Sequence, residues 1–463
     1  MKKRILFLTF LSLVQFLLVH FFLLQRFVNS GDEQALIFQA KMFSQGRLYL
    51  DDPIYDPKNP LHKFVAADAM DDSAGRRFSK YDPGWPALMA PGAWLHLEWL
   101  VAPLLGAFTV FLLLSEVRKR IGDEFVLVAW GLIALCSFFS LSVANFGTHT
   151  ATMVCLLSAF ILYESTSGDR PSGHPWWRLV GVGLLLAYCS LVRYLDWIPL
   201  LTWIAFDLLR RRKIKEFIPL LLGLGFMAPC HLFYNRILTG NAFIPPFVHD
   251  VNNTGTSLAL SWTAFPTTGI RIWRTLFALP PVGLLLFALM KLRLSGRMKT
   301  YLVIFGLHVG LYFFFPWSPA GPGPRYYFPY FPFLILAIVE WHRVNRDQGS
   351  AKIGWRVAMA GLVVCSFVWG WGQTLEIYRR RDLERMVATI PETKRIILLQ
   401  SGTYKMEIPD LIRNPPDLWS ADTLYFAFGD SDGAGIEPLL KRFPNHRVYT
   451  YRYPGTLQPW NGS

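Results

Sequence analysis

Eleven long apolar segments constrain the fold of this 463-residue chain more than any other feature of its sequence. About twenty apolar residues in a helix cross the hydrocarbon core of a bilayer. We therefore predict transmembrane helices at residues 5–25, 99–117, 124–143, 149–164, 178–192, 195–209, 216–234, 273–292, 300–316, 326–341 and 354–372. This pattern predicts an all-α polytopic membrane protein.

Composition supports the same class of protein. Hydrophobic residues make up 52% of the chain and charged residues only 17%, which is more apolar surface than a water-soluble fold of this length buries. An average soluble enzyme, a disordered protein and a disulfide scaffold are excluded. The five cysteines lie within or at the ends of apolar segments without metal-ligand spacing, so we interpret them as packing residues.

The charge distribution predicts the orientation of the chain. Its net charge of +14 comes from 46 lysines and arginines against 32 acids, and much of the excess lies in short clusters at residues 118–120, 210–215, 291–299 and 343–356. Basic loops between spans face the cytoplasm, so the chain starts inside and ends outside. The first segment lacks a small-residue cleavage site and is expected to be retained. We predict an integral membrane protein that contacts membrane lipids and binds no nucleic acid.

Two predicted domains follow from these boundaries. A transmembrane domain covers residues 1–372, interrupted by outer loops at 26–85 and 235–271, and a small α/β domain outside the membrane covers residues 373–463. Residues 86–97 are apolar but too short to span, which is typical of an interfacial helix. The tail has strand-like runs at 396–399, 424–428 and 448–453 and a helical pattern at 436–442.

An acidic pair, Asp32 and Glu33, follows directly on the first span. One interpretation is structural: Ser30 with Glu33 three residues later forms a capping box, and Asp32 is favoured near a helix start by the macrodipole. The other is functional, because a carboxylate at the outer membrane surface can take a proton from an attacking hydroxyl while its neighbour orients the substrate. Both interpretations are compatible with the sequence.

Further polar residues lie at the ends of the predicted spans on the same outer side. Lysine and arginine at these positions either extend towards the headgroups, pair with a nearby acid such as Asp196, or bind a lipid phosphate. We predict that Arg193 and Arg325 converge on one anion site. The candidates for donor-phosphate or substrate binding are Lys80, Tyr81, His149, Arg193, Asn235, Arg325 and Tyr326.

Motifs for other chemistries are missing from the sequence. It contains no phosphate-binding Walker loop, no dinucleotide glycine fingerprint and no Gly-x-Ser-x-Gly elbow, so nucleotide-driven transport and serine hydrolysis lose support. No cofactor is predicted. A divalent metal is not supported, because no ligand spacing of the His-x-x-x-His kind occurs.

Three features together resemble the GT-C membrane glycosyltransferases. They are the acidic pair after the first span, the loop that returns through Pro83-Gly84-Trp85-Pro86, and Arg325-Tyr326 before a late span. The nearest similarity is to family-39-like bacterial members, which are related to the protein O-mannosyltransferases and the lipid A aminoarabinose transferase. The resemblance covers roughly residues 5–340 and does not reach the tail.

The resemblance implies a transferase whose donor is a sugar on a polyprenyl phosphate and whose acceptor is a lipid, a glycan or a protein outside the membrane. Asp32 matches the catalytic acid of the family's first loop, and Glu33 matches the acid beside it. Lys80 falls near a lysine that holds the lipid phosphate in some members, although the pattern that follows it there is absent. Residues 145–149 contain no carboxylate where oligosaccharyl-transferring relatives carry metal-binding acids.

Two other functions remain as alternatives. A transporter or flippase of lipid-linked sugars predicts inverted repeats and charges at mid-membrane, which the sequence does not clearly show. A polymerase or ligase of lipid-linked sugars uses basic residues of a large outer loop and needs no early acidic pair. Substitution of Asp32 separates a transferase from a flippase.

Overall fold

The computed structural model describes residues 2–28, 30–51, 61, 70–71, 75–166, 176–249, 264–285, 294–313, 323–400, 414, 421–428, 436–452 and 455–460. The first nine helices are α1 Lys2–Leu18, α2 Gly31–Ser44, α3 Gly84–Trp94, α4 Glu98–Arg120, α5 Val126–Leu135, α6 Ser137–Ala144, α7 His149–Thr166, α8 Trp176–Val192 and α9 Ile198–Arg210. They are followed by α10 Phe217–Phe226, α11 Ala228–Thr239, α12 Ala264–Ala278, α13 Gly296–Phe313, α14 Phe331–Asn345, α15 Gly349–Arg380, α16 Asp382–Ala388 and α17 Glu437–Arg442. The strands are β1 Leu50–Asp51, β2 Met70–Asp71, β3 Arg76–Ser79, β4 Arg395–Gln400, β5 Thr423–Phe428, β6 Arg447–Arg452 and β7 Thr456–Pro459.

The chain forms two compact units. The first contains Met1–Gln25, Leu100–Phe233 and Thr256–Gln373. The second contains Arg26–Trp99, Tyr234–Gly255 and Thr374–Ser463. The second unit thus groups the segments that the sequence assigns to two outer loops and the tail.

Several apolar helices coincide with predicted spans. Four helical stretches within the described residues are long and apolar enough to cross a membrane: Lys3–Leu23, Glu98–Arg120, Ile214–Thr239 and Gly349–Ala388. A bent pair, Asp123–Leu135 with Ser137–Ala144, makes a fifth if it is one span. The protein is therefore an integral membrane protein, and its many exposed apolar side chains on α15, such as Val364 and Phe367, are suited to lipid.

The bend between α5 and α6 has a local cause. The backbone is extended at Cys136, and the two helix axes differ by 68°. Ser366 of α15 bonds to both sides of the break, because its hydroxyl donates to the Leu135 carbonyl and accepts from the Ser137 N–H. The backbone groups freed by the break are thereby satisfied.

Another predicted span is interrupted. The sequence predicts a continuous helix at 273–292, but α12 begins nine residues earlier, at Ala264, and ends at Ala278. Pro280 and Pro281 follow, and proline has no N–H to continue a helical ladder, so the chain turns before a short helical stretch at 282–285. Residues 286–292 lie outside the described part of the chain.

Helix α14 lies in the core of the first unit, and α8 packs against both α7 and α10. Almost every side chain of α14 is buried, including Phe333 and Trp341. Helices α8 and α10 cross at two glycines, Gly183 and Gly223, whose Cα atoms approach the backbone of the opposite helix. Small residues at such a crossing allow two helix backbones to pack closely, and α8 ends directly before Arg193.

In the second unit, α2 and α3 pack together beside a three-stranded antiparallel sheet of order β1-β3-β2. Phe78 of β3 packs with Tyr234 and Leu238 of α11 in one apolar cluster. Helix α3 lies at the predicted interfacial segment. Trp94 at its end is exposed, whereas Trp85 at its start is buried in the protein.

The tail has the elements that its sequence predicts. Strand β4 lies between β5 and β6 and is parallel to both, and β7 pairs antiparallel with β6. Leu61 from the first loop packs against Ile396 and Leu398 in the core of this sheet. Arg395 donates to the carbonyls of Val387, Ile390 and Glu392, and so satisfies the C-terminal end of α16.

Candidate functional site

The acidic pair lies in the first turn of α2. Ser30 is the N-cap, and its hydroxyl accepts from the Glu33 N–H at 3.3 Å. The helix ends at Ser44, and Gly46 follows with a positive φ of 69°, a conformation that glycine adopts without strain. Ser30 therefore caps α2, as the structural interpretation predicts. This contact does not prevent a chemical role for Asp32 or Glu33.

The Asp32 carboxylate is held by a tyrosine. Tyr81 donates its hydroxyl to Asp32 Oδ1 at 2.5 Å, across 49 positions of sequence. Asp32 is partly exposed, whereas Glu33 is only 6% exposed. Asp32 is thus the acid of the pair that reaches solvent, and its orientation is set by a partner from the returning loop.

A buried amide connects the same two segments. Gln39, two turns after Asp32 on α2, accepts from the Ser79 N–H at 3.0 Å and donates to the Leu48 carbonyl at 2.7 Å. The Ser79 hydroxyl in turn accepts from the Tyr81 N–H at 3.2 Å. Strand β3 and the residues after it are therefore fixed against α2.

Lys80 and Asn235 also lie in the second unit. The Lys80 Nζ is 6.0 Å from the centroid of the Tyr81 ring, beside the pair that Tyr81 forms with Asp32. Asn235 is buried on α11, and its amide donates to the Ala242 carbonyl at 3.1 Å. The contact described for Asn235 thus orders the chain after α11, and its predicted role in substrate binding stays a prediction.

Arg193 lies in the turn between α8 and α9 in the first unit. Its Nε donates to Asp196 Oδ2 at 2.5 Å, and Tyr312 donates to Asp196 Oδ1 at 2.5 Å. The pairing of Arg193 with Asp196, one of the two interpretations of the sequence, is therefore observed. Burial lowers the pKa of the Arg193 guanidinium, and the neighbouring Asp196 charge outweighs it, so the pKa lies above the ordinary value.

Three guanidinium groups surround the ring of Tyr326. Their Cζ atoms lie 5.0 Å (Arg271), 5.2 Å (Arg325) and 5.9 Å (Arg193) from the ring centroid. Arg325 also donates to the Tyr326 hydroxyl at 3.4 Å. Arg193 and Arg325 thus lie around one aromatic side chain, a cationic arrangement suited to an anion, and the predicted anion site stays a prediction.

Arg271 was missed by the sequence analysis, which placed it at the end of the second outer loop. It is almost fully buried in α12 and donates to the Tyr312 carbonyl at 2.8 Å. A signal was available, because Thr268, Arg271 and Thr275 recur every three to four residues and form a polar stripe on α12. Polar and charged residues within an apolar helix mark functional positions.

Two histidines lie near this arginine cluster. His149, at the start of α7, is within electrostatic reach of Arg193 and Arg325, and its Nδ1 has no hydrogen-bond partner among the described residues. His308 is buried on α13, and its Nε2 lies 2.7 Å from the Tyr326 carbonyl. A carbonyl oxygen only accepts, so Nε2 carries the hydrogen, and His308 fixes the backbone that presents Tyr326.

The described residues thus form two groups of candidates, one in each unit. His149, Arg193, Arg325 and Tyr326 lie together in the first unit, joined by Arg271. Asp32, Glu33, Lys80 and Tyr81 lie together in the second unit. Among the residues that the structure describes, no group of three His, Cys, Asp or Glu side chains is arranged to hold a metal ion.

The fold of the chain is similar to that of solved structures of ArnT. ArnT from Cupriavidus metallidurans bound to undecaprenyl phosphate matches with a TM-score of 0.56 and 12% identity, over 88% of this chain and 84% of that chain. The apo state of the same ArnT matches with a TM-score of 0.54 and 13% identity, over 97% and 93% of the two chains. No family model and no curated protein matches the sequence. At these identities the similarity establishes the fold.

Proposed function

We propose that the protein transfers a sugar from a polyprenyl-phosphate donor to an acceptor outside the membrane, with Asp32 as the base. The observation that carries the proposal is the set of three guanidinium groups around Tyr326, in a fold for which an ArnT structure is bound to undecaprenyl phosphate. A lipid donor in the membrane and an acceptor in water require groups at the outer surface and no nucleotide site.

The arginine cluster has the chemistry of a site for a lipid phosphate. Arg193, Arg271 and Arg325 present planar donors that match phosphate oxygens, and Tyr326 holds the three side chains in one place. When the bond between the sugar and the phosphate breaks, negative charge develops on the leaving phosphate oxygen. Cations fixed beforehand stabilise that charge more than they stabilise the intact donor, which accelerates the reaction.

Asp32 has the chemistry of a general base. In the proposed step the acceptor hydroxyl oxygen attacks the anomeric carbon, and its proton passes to the Asp32 carboxylate. The bond from that carbon to the phosphate oxygen breaks, and its electron pair leaves with the polyprenyl phosphate. A single displacement of this kind inverts the anomeric configuration. Glu33 assists as the neighbouring acid, and Tyr81 keeps the Asp32 carboxylate oriented.

The remaining candidates complete the proposed site. We assign Lys80 to binding of the donor phosphate, and His149 and Asn235 to binding of the substrate. The acceptor is a lipid, a glycan or a protein that is reached from the periplasm or the cell exterior. The chain start lies in the cytoplasm, and the tail, residues 373–463, lies outside a bacterial inner membrane, in agreement with the basic clusters between its spans.

The test is mass spectrometry of membrane lipids from cells that carry the intact protein or the Asp32→Asn variant. Loss of a general base lowers the rate at least about a hundredfold, so one polyprenyl-monophosphate sugar accumulates in the variant. Asp51→Asn is the matched control, because Asp51 is an exposed acid of the same loop on β1. Cells that carry Asp51→Asn have the same lipid pool as cells that carry the intact protein.

Two outcomes would count against the proposal. An unchanged lipid pool with stably expressed Asp32→Asn protein removes Asp32 as the base and favours a transporter or flippase, which is indifferent to this substitution. Accumulation of a diphosphate-linked sugar instead of a monophosphate favours a polymerase or ligase. The mass of the accumulated lipid also identifies the sugar.

A further inference from the structure

A closed ring of contacts runs from Asp32 through the protein and back to Asp32. Asp32 and Gln39 are seven residues apart on α2, which places them on the same face two turns from each other. The Gln39 amide binds Ser79, the Ser79 hydroxyl binds the Tyr81 backbone, and the Tyr81 hydroxyl returns to Asp32 Oδ1. Three links are hydrogen bonds between described residues of the second unit, and helix α2 itself joins Gln39 to Asp32.

We propose that Gln39 is a positioning residue for the transfer reaction and that it acts through Ser79 and Tyr81 on the orientation of the Asp32 carboxylate. The proposal rests on the function of Asp32 as the base. Gln39 does not touch substrate in this scheme. It fixes the distance between α2, which carries the base, and the loop that carries the tyrosine.

The chemistry of the amide makes this role specific to glutamine. The Ser79 N–H can only donate and the Leu48 carbonyl can only accept, so the buried side chain must present one acceptor and one donor at the same time. A glutamate anion has no donor, and a methionine of similar length has neither group. Loss of the amide leaves buried backbone groups without partners, and the strand end shifts to recover them.

A small shift of the strand end has a large effect on the base. A general base must lie within about 2.6–3.2 Å of the oxygen whose proton it takes, and a displacement of about 1 Å lowers the rate by about a hundredfold. The Tyr81 hydroxyl fixes the plane of the carboxylate only while the backbone of Tyr81 stays in place. The substitution therefore lowers kcat and leaves the KM for the donor unchanged.

The experiment compares Gln39→Met, Tyr81→Phe and the double variant as purified full-length proteins. The donor is the polyprenyl-monophosphate sugar isolated from cells that carry Asp32→Asn. Each single variant lowers kcat about tenfold or more at unchanged KM, and the double variant falls no further, because both substitutions break the same path. Multiplied effects in the double variant, or a change confined to KM, would overturn the proposal.

Gln15→Met is the matched control. Gln15 lies in the first unit and also joins two positions through its amide, since its Nε2 donates to the Ala134 carbonyl at 2.8 Å and to the Ser140 hydroxyl at 2.9 Å. Its substitution removes two hydrogen bonds, as Gln39→Met does, but leaves kcat unchanged. An equal loss of kcat in Gln15→Met would assign the effect of Gln39 to general destabilisation.

Hydrogen exchange tests the ring of contacts independently of the role of Asp32 as the base. In Gln39→Met the amide hydrogens of Ser79 and Tyr81 exchange faster than in the intact protein, whether or not Asp32 is the base. Unchanged exchange at both positions would refute the ring of contacts. Wild-type activity in Asp32→Asn, with faster exchange in Gln39→Met, would refute only the role of Asp32.

Discussion

Substitution of two glycines tests the packing of α8 against α10, and α8 is the helix that ends directly before Arg193. A Cβ atom on Gly223 would lie 2.2 Å from the backbone oxygen of Val180, and one on Gly183 would lie 2.3 Å from the backbone oxygen of Leu220. Backbone oxygens cannot rotate away as a side chain can. An alanine at either position therefore forces the two helices apart.

The size of the effect follows from these distances. Carbon and oxygen atoms need more than 3 Å, so the helices must separate by roughly 1 Å along most of the crossing. Forcing an extra methyl group into a packed contact of this kind lowers the free energy of unfolding by about 1–3 kcal/mol. Alanine has a higher helix propensity than glycine by up to about 1 kcal/mol, which opposes the loss, so a control with the same chemistry is needed.

Gly225→Ala is that control, because it lies on α10 two residues from Gly223 and a Cβ there meets no atom within 4 Å. The unfolding temperature of detergent-purified protein, followed by tryptophan fluorescence, falls in Gly223→Ala and stays equal or rises in Gly225→Ala. A second pair on α8 is Gly183→Ala against Gly181→Ala, where a Cβ meets only the flexible end of Leu162 at 2.9 Å. Equal unfolding temperatures within both pairs would refute the close crossing.

Three further predictions concern charged side chains. Arg271→Lys keeps the charge but loses the planar donors. The KM for the polyprenyl-phosphate donor therefore rises about tenfold, whereas the expression level of the protein changes by a smaller factor. The hydrogen bond from Tyr449 holds the pKa of Glu392 below its ordinary value of 4.5, so this contact stabilises β6 above that pH and the contribution is lost as the pH falls below it. The protection factors of the β6 amides, in which the intrinsic pH dependence of exchange is removed, then fall in acid in the intact protein, and less so in Glu392→Gln. Arg395→Met removes the bonds to three carbonyls at 387–392 and lowers the local stability of β4 by about 1–3 kcal/mol, measured by exchange at β4, and unchanged exchange would contradict this.

The helices of the first unit could be predicted from the sequence because apolar length is a local property. A run of about twenty apolar residues has few alternatives to a helix in lipid, since every backbone group must bond within the segment. A prediction from apolar length fails where the apolar run contains residues that cannot continue a helix. Pro280 and Pro281 lie inside a mostly apolar run, and the hydropathy of that run does not register the two missing backbone N–H groups.

The tail could be predicted for a different reason. Its strands are short runs of β-branched and aromatic residues separated by polar turns, and the structure places strands at all three predicted positions. Their order in the sheet could not be predicted. Strand β4 is central and joins strands that follow it by 23 or more residues, so the pairing depends on contacts that no local pattern encodes.

The candidate residues show the same division between local and distant information. The acidic pair could be found because it follows a span and begins a helix, both of which are visible within a few positions. The contact of Tyr81 with Asp32 joins residues 49 positions apart, and only the order of the motifs indicated that the two belong together. Arg271 was missed because its partners Tyr312 and Tyr326 lie on other segments.

Arg193 illustrates how a side chain can be committed to a structural contact and still bind a ligand. Its bond to Asp196 is short, at 2.5 Å, whereas its bonds to the hydroxyls of Thr148 and Tyr312 are both 3.3 Å long. Bonds of that length lie at the weak end of the hydrogen-bond range. A phosphate oxygen can replace the two long bonds while Asp196 keeps the guanidinium in place, so the ion pair orients Arg193 for the proposed site and does not compete with it.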